Sequence, residues 1–254
     1  MQKNNSTKIL VQCAMFLAIG LVLRNFSYMV YMGGGTGMRL GISGFFTKMP
    51  ALLFGPVYGA VVSGLNDFFG YVLKPEGAYI FPLTFTAAAG SAITALVYRY
   101  LKKMPASAIN KAYVIFVAAM GLLGAVNHIF AVFYPQSFWG SIINGFGKKT
   151  AYFTYGMYVV CVVGIAVYAV NMLLQKKYGT LFTEDYIRLF ATLLISDVLV
   201  TTVNTHILIA FIPELGKLGF ATFYLPRLLQ ELVSVVISSC VITYLLKFYK
   251  KAFK

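Results

Sequence analysis

The sequence predicts an all-α integral membrane protein with about eight transmembrane helices. Three observations carry this. Hydrophobic residues make up 59% of 254 positions and charged residues 11%, with a mean hydropathy of +0.79, too little polar surface to cover a soluble globule. Apolar runs of about 20 residues, long enough at ~1.5 Å per residue to cross ~30 Å of hydrocarbon, recur along the chain. Basic residues gather in alternate connections, as orientation signals do in membrane proteins.

The first helix is expected at 9–32. Lys3 and Lys8 precede its apolar core in the manner of a secretory leader, but no small-x-small cleavage pattern follows before Arg24, so the helix is expected to be retained. Gly55-Pro56 and Lys74-Pro75-Glu76-Gly77 break the next apolar stretch into crossings at 44–55, 57–73 and 83–101. Further helices are expected at 112–134, 151–174, 189–212 and 228–246. An even number of crossings places both termini on one side. That side carries Lys3, Lys8, Arg99, Lys102, Lys103, Lys111, Lys176, Lys177, Arg188, Lys247, Lys250, Lys251 and Lys254, most of the 21 basic residues, and is therefore expected to be the cytoplasmic face of the cell membrane. Orientation and anionic lipid headgroups account for the net charge of +14. Nucleic-acid binding would need a basic soluble patch, which the chain lacks.

Metal and cofactor chemistry find no signature. Cys13, Cys161 and Cys240 fall in separate helices without paired spacing, and His128 and His206 stand alone, so packing and helix–helix hydrogen bonding are the expected roles. Gly145-Phe146-Gly147-Lys148-Lys149-Thr150 is not a phosphate loop. Its glycines are too close, and Lys149 stands where a hydroxyl should hold magnesium.

Eight basic residues oppose the orientation trend: Arg24, Arg39, Lys48, Lys74, Lys148, Lys149, Lys217 and Arg227. For Lys148, Lys149 and Lys217, reach to the outer headgroups is the preferred reading. Others flank glycine- and aromatic-rich loops. Gly33-Gly34-Gly35-Thr36-Gly37 leads to Arg39, and Lys74 to Pro82 joins two helices. Such loops suit an outward-facing pocket for an anionic, partly planar ligand, with Arg and Lys meeting carboxylates and Tyr79, Phe81 or Phe85 offering ring faces.

Helical spacing selects the inward polar groups. Gly59, Ser63 and Asp67 recur at four-residue steps, which places Asp67 on a small-residue face. Asp197, Thr201, Asn204, Thr205 and Leu208 form one stripe; Arg227, Glu231, Ser234 and Ser238 form another. Because a charge at mid-membrane costs about 2.5–3.5 kcal/mol even on the lenient scale, both stripes are expected to line one interior. The competing reading pairs Arg227 with Glu231 one turn on and makes Asp197 the cap of a polar seam. On the first helix, Ala14 and Ala18 lie one turn apart and Gly20 follows, a shallow groove for another helix.

Several short motifs recur in order. Arg39-Leu40-Gly41, Leu53-Phe54-Gly55-Pro56-Val57-Tyr58-Gly59-Ala60, Gly64-Leu65-Asn66-Asp67, Lys74-Pro75-Glu76-Gly77, Pro82, Phe85-Thr86 and Ala92, then Asn204-Thr205 and Leu225-Pro226-Arg227, resemble the substrate-binding S component of energy-coupling-factor vitamin importers, nearest the folate family. The resemblance covers roughly 8–101 and 188–250. It implies a six-helix core with an extracellular vitamin pocket in a single membrane domain. Arg39, Lys74 and Arg227 would meet the anionic end of the vitamin. Asp67 or Asn204 would hydrogen-bond its heterocycle, with Tyr79, Phe85 and Thr86 beside it. It also implies that Ala14-x-x-x-Ala18 docks on a transmembrane coupling subunit served by two ATPase subunits. The chain itself would be neither an enzyme nor the holder of a cofactor.

One departure stands out. An extra helical hairpin at about 105–180 replaces a short connection, and its loop Tyr134 to Gly140 has two readings, a cover for the pocket or an interfacial anchor. Two other classes stay open. A proton-coupled secondary transporter would use Asp67 or Asp197, and an intramembrane lipid-phosphate enzyme would use Asp67, Asp197 and Arg227, though paired acidic DxxD motifs are absent.

Overall fold

In hydrocarbon no water satisfies a backbone amide, so apolar runs close their hydrogen bonds internally as helices. The computed structural model describes residues 2–31, 37–40, 42–75, 77–147, 150–178, 181–217 and 219–252. The helices are α1 (Gln2–Asn25), α2 (Ser43–Phe54), α3 (Pro56–Leu73), α4 (Phe81–Leu101), α5 (Ala106–Phe133), α6 (Phe138–Asn144), α7 (Met157–Tyr178), α8 (Leu181–Phe211), α9 (Pro213–Gly216) and α10 (Phe220–Ala252). A π-helical turn, Tyr152–Gly156, leads into α7.

Cross-helix contacts fix their directions. Ser63 of α3 donates to the Thr47 carbonyl of α2 at 3.4 Å, and a Cβ on Gly59 would meet Ala51, so these helices run antiparallel. Asp67–Thr84 and Gly59–Ser91 do the same for α3 and α4. Thr94–Ser196 and Thr86–Asn204 join α4 to α8, Tyr113–Gly164 joins α5 to α7, and Thr201–Glu231 joins α8 to α10, each antiparallel. The starts of α1 and α5 and the ends of α4, α7 and α10 therefore share one face, called the terminal face below. Arg24, the end of α3 and the end of α8 lie toward the opposite, distal face.

Six stretches among the described residues are long and apolar enough to cross a membrane: Ser6–Asn25, Phe81–Leu101, Ser107–Phe133, Tyr152–Ala169, Asp185–Phe211 and Phe220–Ala252. They mark a multi-pass membrane protein. The eight expected crossings are not reached on this criterion. With 12 residues α2 is only about 18 Å long, and Asn66 and Asp67 dilute the apolar run of α3.

Two expectations need correction. The first helix ends at Asn25, not 32, and is followed by a short antiparallel hairpin, β1 (Tyr28–Tyr31) with β2 (Gly37–Leu40), within an otherwise helical fold. Ser27 Oγ donates to the Arg24 carbonyl at 2.6 Å and closes the helix end, while Tyr28-Met29-Val30-Tyr31 is an aromatic and β-branched run suited to a strand. The loop 32–36, with most of the expected glycine cluster, lies outside the described residues, as do Glu76, Lys148 and Lys149. The last helix starts at Phe220, so Pro226 sits inside it. Six residues precede the proline, so it lies past the four amides that need no intrahelical partner and supplies no N–H to the carbonyl four residues back.

The inserted hairpin of α5 and α7 shares its core with the rest. Tyr113 stacks edge-on against Phe190 of α8 at 4.6 Å and shares a hydrogen bond with Tyr186 at 3.1 Å. Leu229 of α10 closes over Val160. Its loop turns back on itself: Trp139 Nε1 donates to Asn127 of α5 at 3.0 Å, and Ser137 caps α6.

Gly55 makes the turn between α2 and α3 with φ 110° and ψ −175°, a region reserved for glycine, and Arg99 lies where its Cβ would be. Gly55→Ala is expected to cost about 1–3 kcal/mol. Thermal midpoints of the detergent-solubilised protein check this; an unchanged midpoint would contradict the assignment.

Candidate functional site

Charged and amide side chains gather in the distal half of the bundle, in three groups. The first centres on Asp67. Arg24 Nη1 reaches Asp67 Oδ1 at 3.1 Å and also donates to the Asn66 carbonyl at 3.1 Å. Thr84 Oγ1 donates to Asp67 Oδ2 at 2.6 Å and shares a hydrogen bond with the Tyr79 hydroxyl at 2.8 Å. Both carboxylate oxygens are thus engaged. Gly70 makes room for this pair, because a Cβ there would lie 2.2 Å from Arg24 Cδ. Tyr79 packs against Tyr71 at 4.8 Å and Phe68 at 6.0 Å, which folds the connection after Lys74 back onto α3. Lys74 itself donates to the Ser27 carbonyl at 3.5 Å.

The second group joins α4 to α8. Thr86 Oγ1, two positions and about 200° around the helix from Thr84, donates to Asn204 Oδ1. One α4 segment therefore serves two neighbours.

The third lies between α2, α8 and α10. Lys48 Nζ pairs with Asp197 Oδ2 at 2.6 Å, with both side chains largely buried. Thr201 Oγ1 donates to Glu231 Oε2 at 3.3 Å. Arg227 is 8% exposed, its guanidinium 5.0 Å from the Phe223 ring centroid, and its Nε and Nη1 are buried without a hydrogen-bond partner. No ion pair within 4.0 Å joins Arg227 to Glu231 among the described residues, and Glu231 stays an electrostatic neighbour of Arg227 at longer range. At the polar seam, Asp197 is the acid of an interhelical pair.

The expected stripes face inward. Asp197, Thr201, Thr205, Leu208, Arg227 and Ser238 are buried, and Asn204 is half-buried. Asp67, Tyr79, Thr86, Asn204 and Arg227 all project from the distal halves of their helices or the connection between them. Phe85 departs from the expected pocket: it is 67% exposed on the outside of α4. Arg39 stands opposite Met29 in the hairpin, and its side chain lies outside the described residues. Ala14 and Ala18 are exposed on α1. A cavity of 220 Å³ lies elsewhere, at the terminal face between α1 and α10.

Comparison with protein-family models, curated proteins and solved structures gives no match. The geometry alone carries the site.

Sequence reasoning did not pair Arg24 with Asp67 or Lys48 with Asp197. The available signal was the small number of acids: Asp67, Asp197 and Glu231 are the acidic residues inside apolar helices, and Arg24, Lys48 and Arg227 are cations at comparable depth. Matching them is an energetic requirement. A test of the first group uses Gly70→Ala, which crowds Arg24 off Asp67. We expect a loss of about 1–3 kcal/mol, largely absent when Arg24→Ala is already present. Equal losses in both backgrounds, read by thermal unfolding, would show that Gly70 has another role.

Proposed function

We propose that this chain is the substrate-binding subunit of an ATP-driven importer of the energy-coupling-factor type, serving folate or a related anionic vitamin. The observation that best supports this reading is Arg227, a buried guanidinium with two unpartnered nitrogens beside an aromatic ring. A carboxylate ligand supplies both missing acceptors, and Arg offers it a planar, bidentate fork. Thr86 and Asn204 offer hydrogen bonds to a heterocycle, while Lys74 and Arg39 stand nearer the distal face. Asp67, whose oxygens serve Arg24 and Thr84, takes a positioning part, and Phe85, turned outward, is left out of the pocket.

On this reading α2 and α3 cross as a pair and complete eight passes, with the termini in the cytoplasm and the distal face outside the cell. The exposed Ala14-x-x-x-Ala18 face of α1 receives the transmembrane coupling subunit, and two ATPase subunits supply energy that this chain does not generate.

The decisive experiment is mass spectrometry of small molecules that co-purify with the protein, followed by binding of the vitamin found. Arg227→Ala is expected to weaken binding about 10- to 100-fold, the loss of hydrogen bonds to a charged group. Ala14→Trp and Ala18→Trp are expected to keep binding and abolish uptake when the coupling module is present. Unaltered affinity in Arg227→Ala would remove the pocket. Import by the chain alone in proteoliposomes would instead identify a proton-coupled carrier, and turnover of a lipid phosphate an enzyme.

A further inference from the structure

The cluster between α2, α8 and α10 brings together two cations, Lys48 and Arg227, and two anions, Asp197 and Glu231. Lys48 and Asp197 satisfy each other at 2.6 Å, which leaves Arg227 and Glu231 as a second, looser couple. These two stand one turn apart on α10, where side chains at four-residue spacing lie about 5–6 Å apart at Cβ. Each acts electrostatically on the other, with no ion pair within 4.0 Å among the described residues. Glu231 is half-buried and turned to α8, its Oε2 accepting from Thr201 Oγ1 at 3.3 Å. Arg227 is turned to Phe223, with Nε and Nη1 buried and unpartnered. Glu231 therefore balances the charge of Arg227 without filling those two donors.

The charges that reach Glu231 come from Lys48 of α2, Asp197 of α8 and Arg227 of its own helix. Against this stretch of α10, α7 packs Val160 and Met157 around Leu229 and Leu232, and in the π-helical turn a Cβ on Gly156 would lie 3.5 Å from Leu229, so those contacts bring no charge. A carboxylate docking on the unpartnered donors of Arg227 upsets the balance. It occupies the cation that is not committed to Asp197, and it adds a negative charge beside Asp197 and Glu231. Three anions then face two cations where little water is present to solvate them, which favours neutralising the carboxyl that no cation holds. Lys48 holds Asp197, so that carboxyl is Glu231. The Thr201 hydroxyl can turn from donor to acceptor and keep its hydrogen bond to a protonated Oε2.

We propose that Glu231 takes up one proton when an anionic ligand binds Arg227, so that carboxylate and proton enter the site together. This rests on the pocket reading above, in which Arg227 receives the carboxylate of the ligand. Linkage sets the sign: binding that takes up one proton strengthens as pH falls, by up to about tenfold per pH unit.

Equilibrium binding of folate to the full chain in detergent, measured from about pH 6 to pH 8 where the ligand carboxylates stay ionised, tests it. Wild-type affinity is expected to rise as pH falls, and calorimetry in two buffers of different protonation enthalpy is expected to count up to about one proton taken up per folate. Glu231→Gln keeps an oxygen acceptor for Thr201 but carries no charge. It is expected to hold the acid-side affinity across the range, with a proton count near zero; titration of folate itself is common to both proteins. A pH-independent wild-type affinity, or the same pH slope and proton count in Glu231→Gln, would overturn the proton coupling and leave the pocket standing where Arg227→Ala still weakens binding. Unaltered affinity in Arg227→Ala, or no binding of folate at any pH, would overturn pocket and coupling together. If Glu231→Gln does not fold, the wild-type proton count decides alone, and a count of zero overturns the inference.

Discussion

An ion pair between Lys48 and Asp197, 2.6 Å apart, ties α2 to α8 across an interior with little water to solvate either group. The rest of the arrangement follows from the rule that such charges must be matched. With seven acids against 21 bases, the chain places few carboxylates, and those inside the apolar helices stand where cations or hydroxyls from other helices can reach them. Asp67 takes Arg24 and Thr84; Asp197 takes Lys48; Glu231 takes Thr201. Each contact links different helices, tying α1, α3 and α4 into one set and α2, α8 and α10 into another, and the Thr86–Asn204 hydrogen bond joins the two.

The inserted hairpin obeys a different logic. No acidic residue occurs between Glu76 and Glu184, and α5 and α7 associate through close approach and neutral hydrogen bonds. Tyr113 donates to the Gly164 carbonyl at 2.9 Å, and Asn127 bonds the Phe153 carbonyl at 3.0 Å while accepting from Trp139. Small residues at the crossings let these contacts form, as a Cβ on Gly164 would lie 2.9 Å from Val117. The hairpin is thus an apolar buttress on a charge-matched bundle. Arg227 is the exception within that bundle, a cation whose donors are not all matched by protein, and the candidate site is built around it.

How far the sequence discloses this depends on the kind of signal. The polar stripe of α8 and the small-residue face of α3 were legible because a polar group in an apolar run can face only protein, and helical period then fixes which neighbours join it. Phe85 was not legible. In a membrane both the lipid-facing and the pocket-facing sides of a helix accept an aromatic ring, so its exposure on α4 is set by Thr84 and Thr86, which claim the faces toward α3 and α8. The hairpin after Asn25 was hidden by its apolar composition, which a helix pattern absorbs as readily as a strand. The ion pairs lay beyond the reach of single-helix periodicity, since their partners are 43 and 149 positions apart.

The central claim, that interhelical charge matching holds the distal half together, is tested most directly by a cycle on Lys48 and Asp197. Lys48→Met and Asp197→Leu each remove one half of the pair, leaving Asp197 beside the like charge of Glu231 or Lys48 with Glu231 alone, and each is expected to lose about 3 kcal/mol or more in thermal or chemical unfolding of the solubilised protein. The double variant is expected to recover most of that loss, because neither half of the pair is left without the other. Additive losses in the double variant would contradict the account.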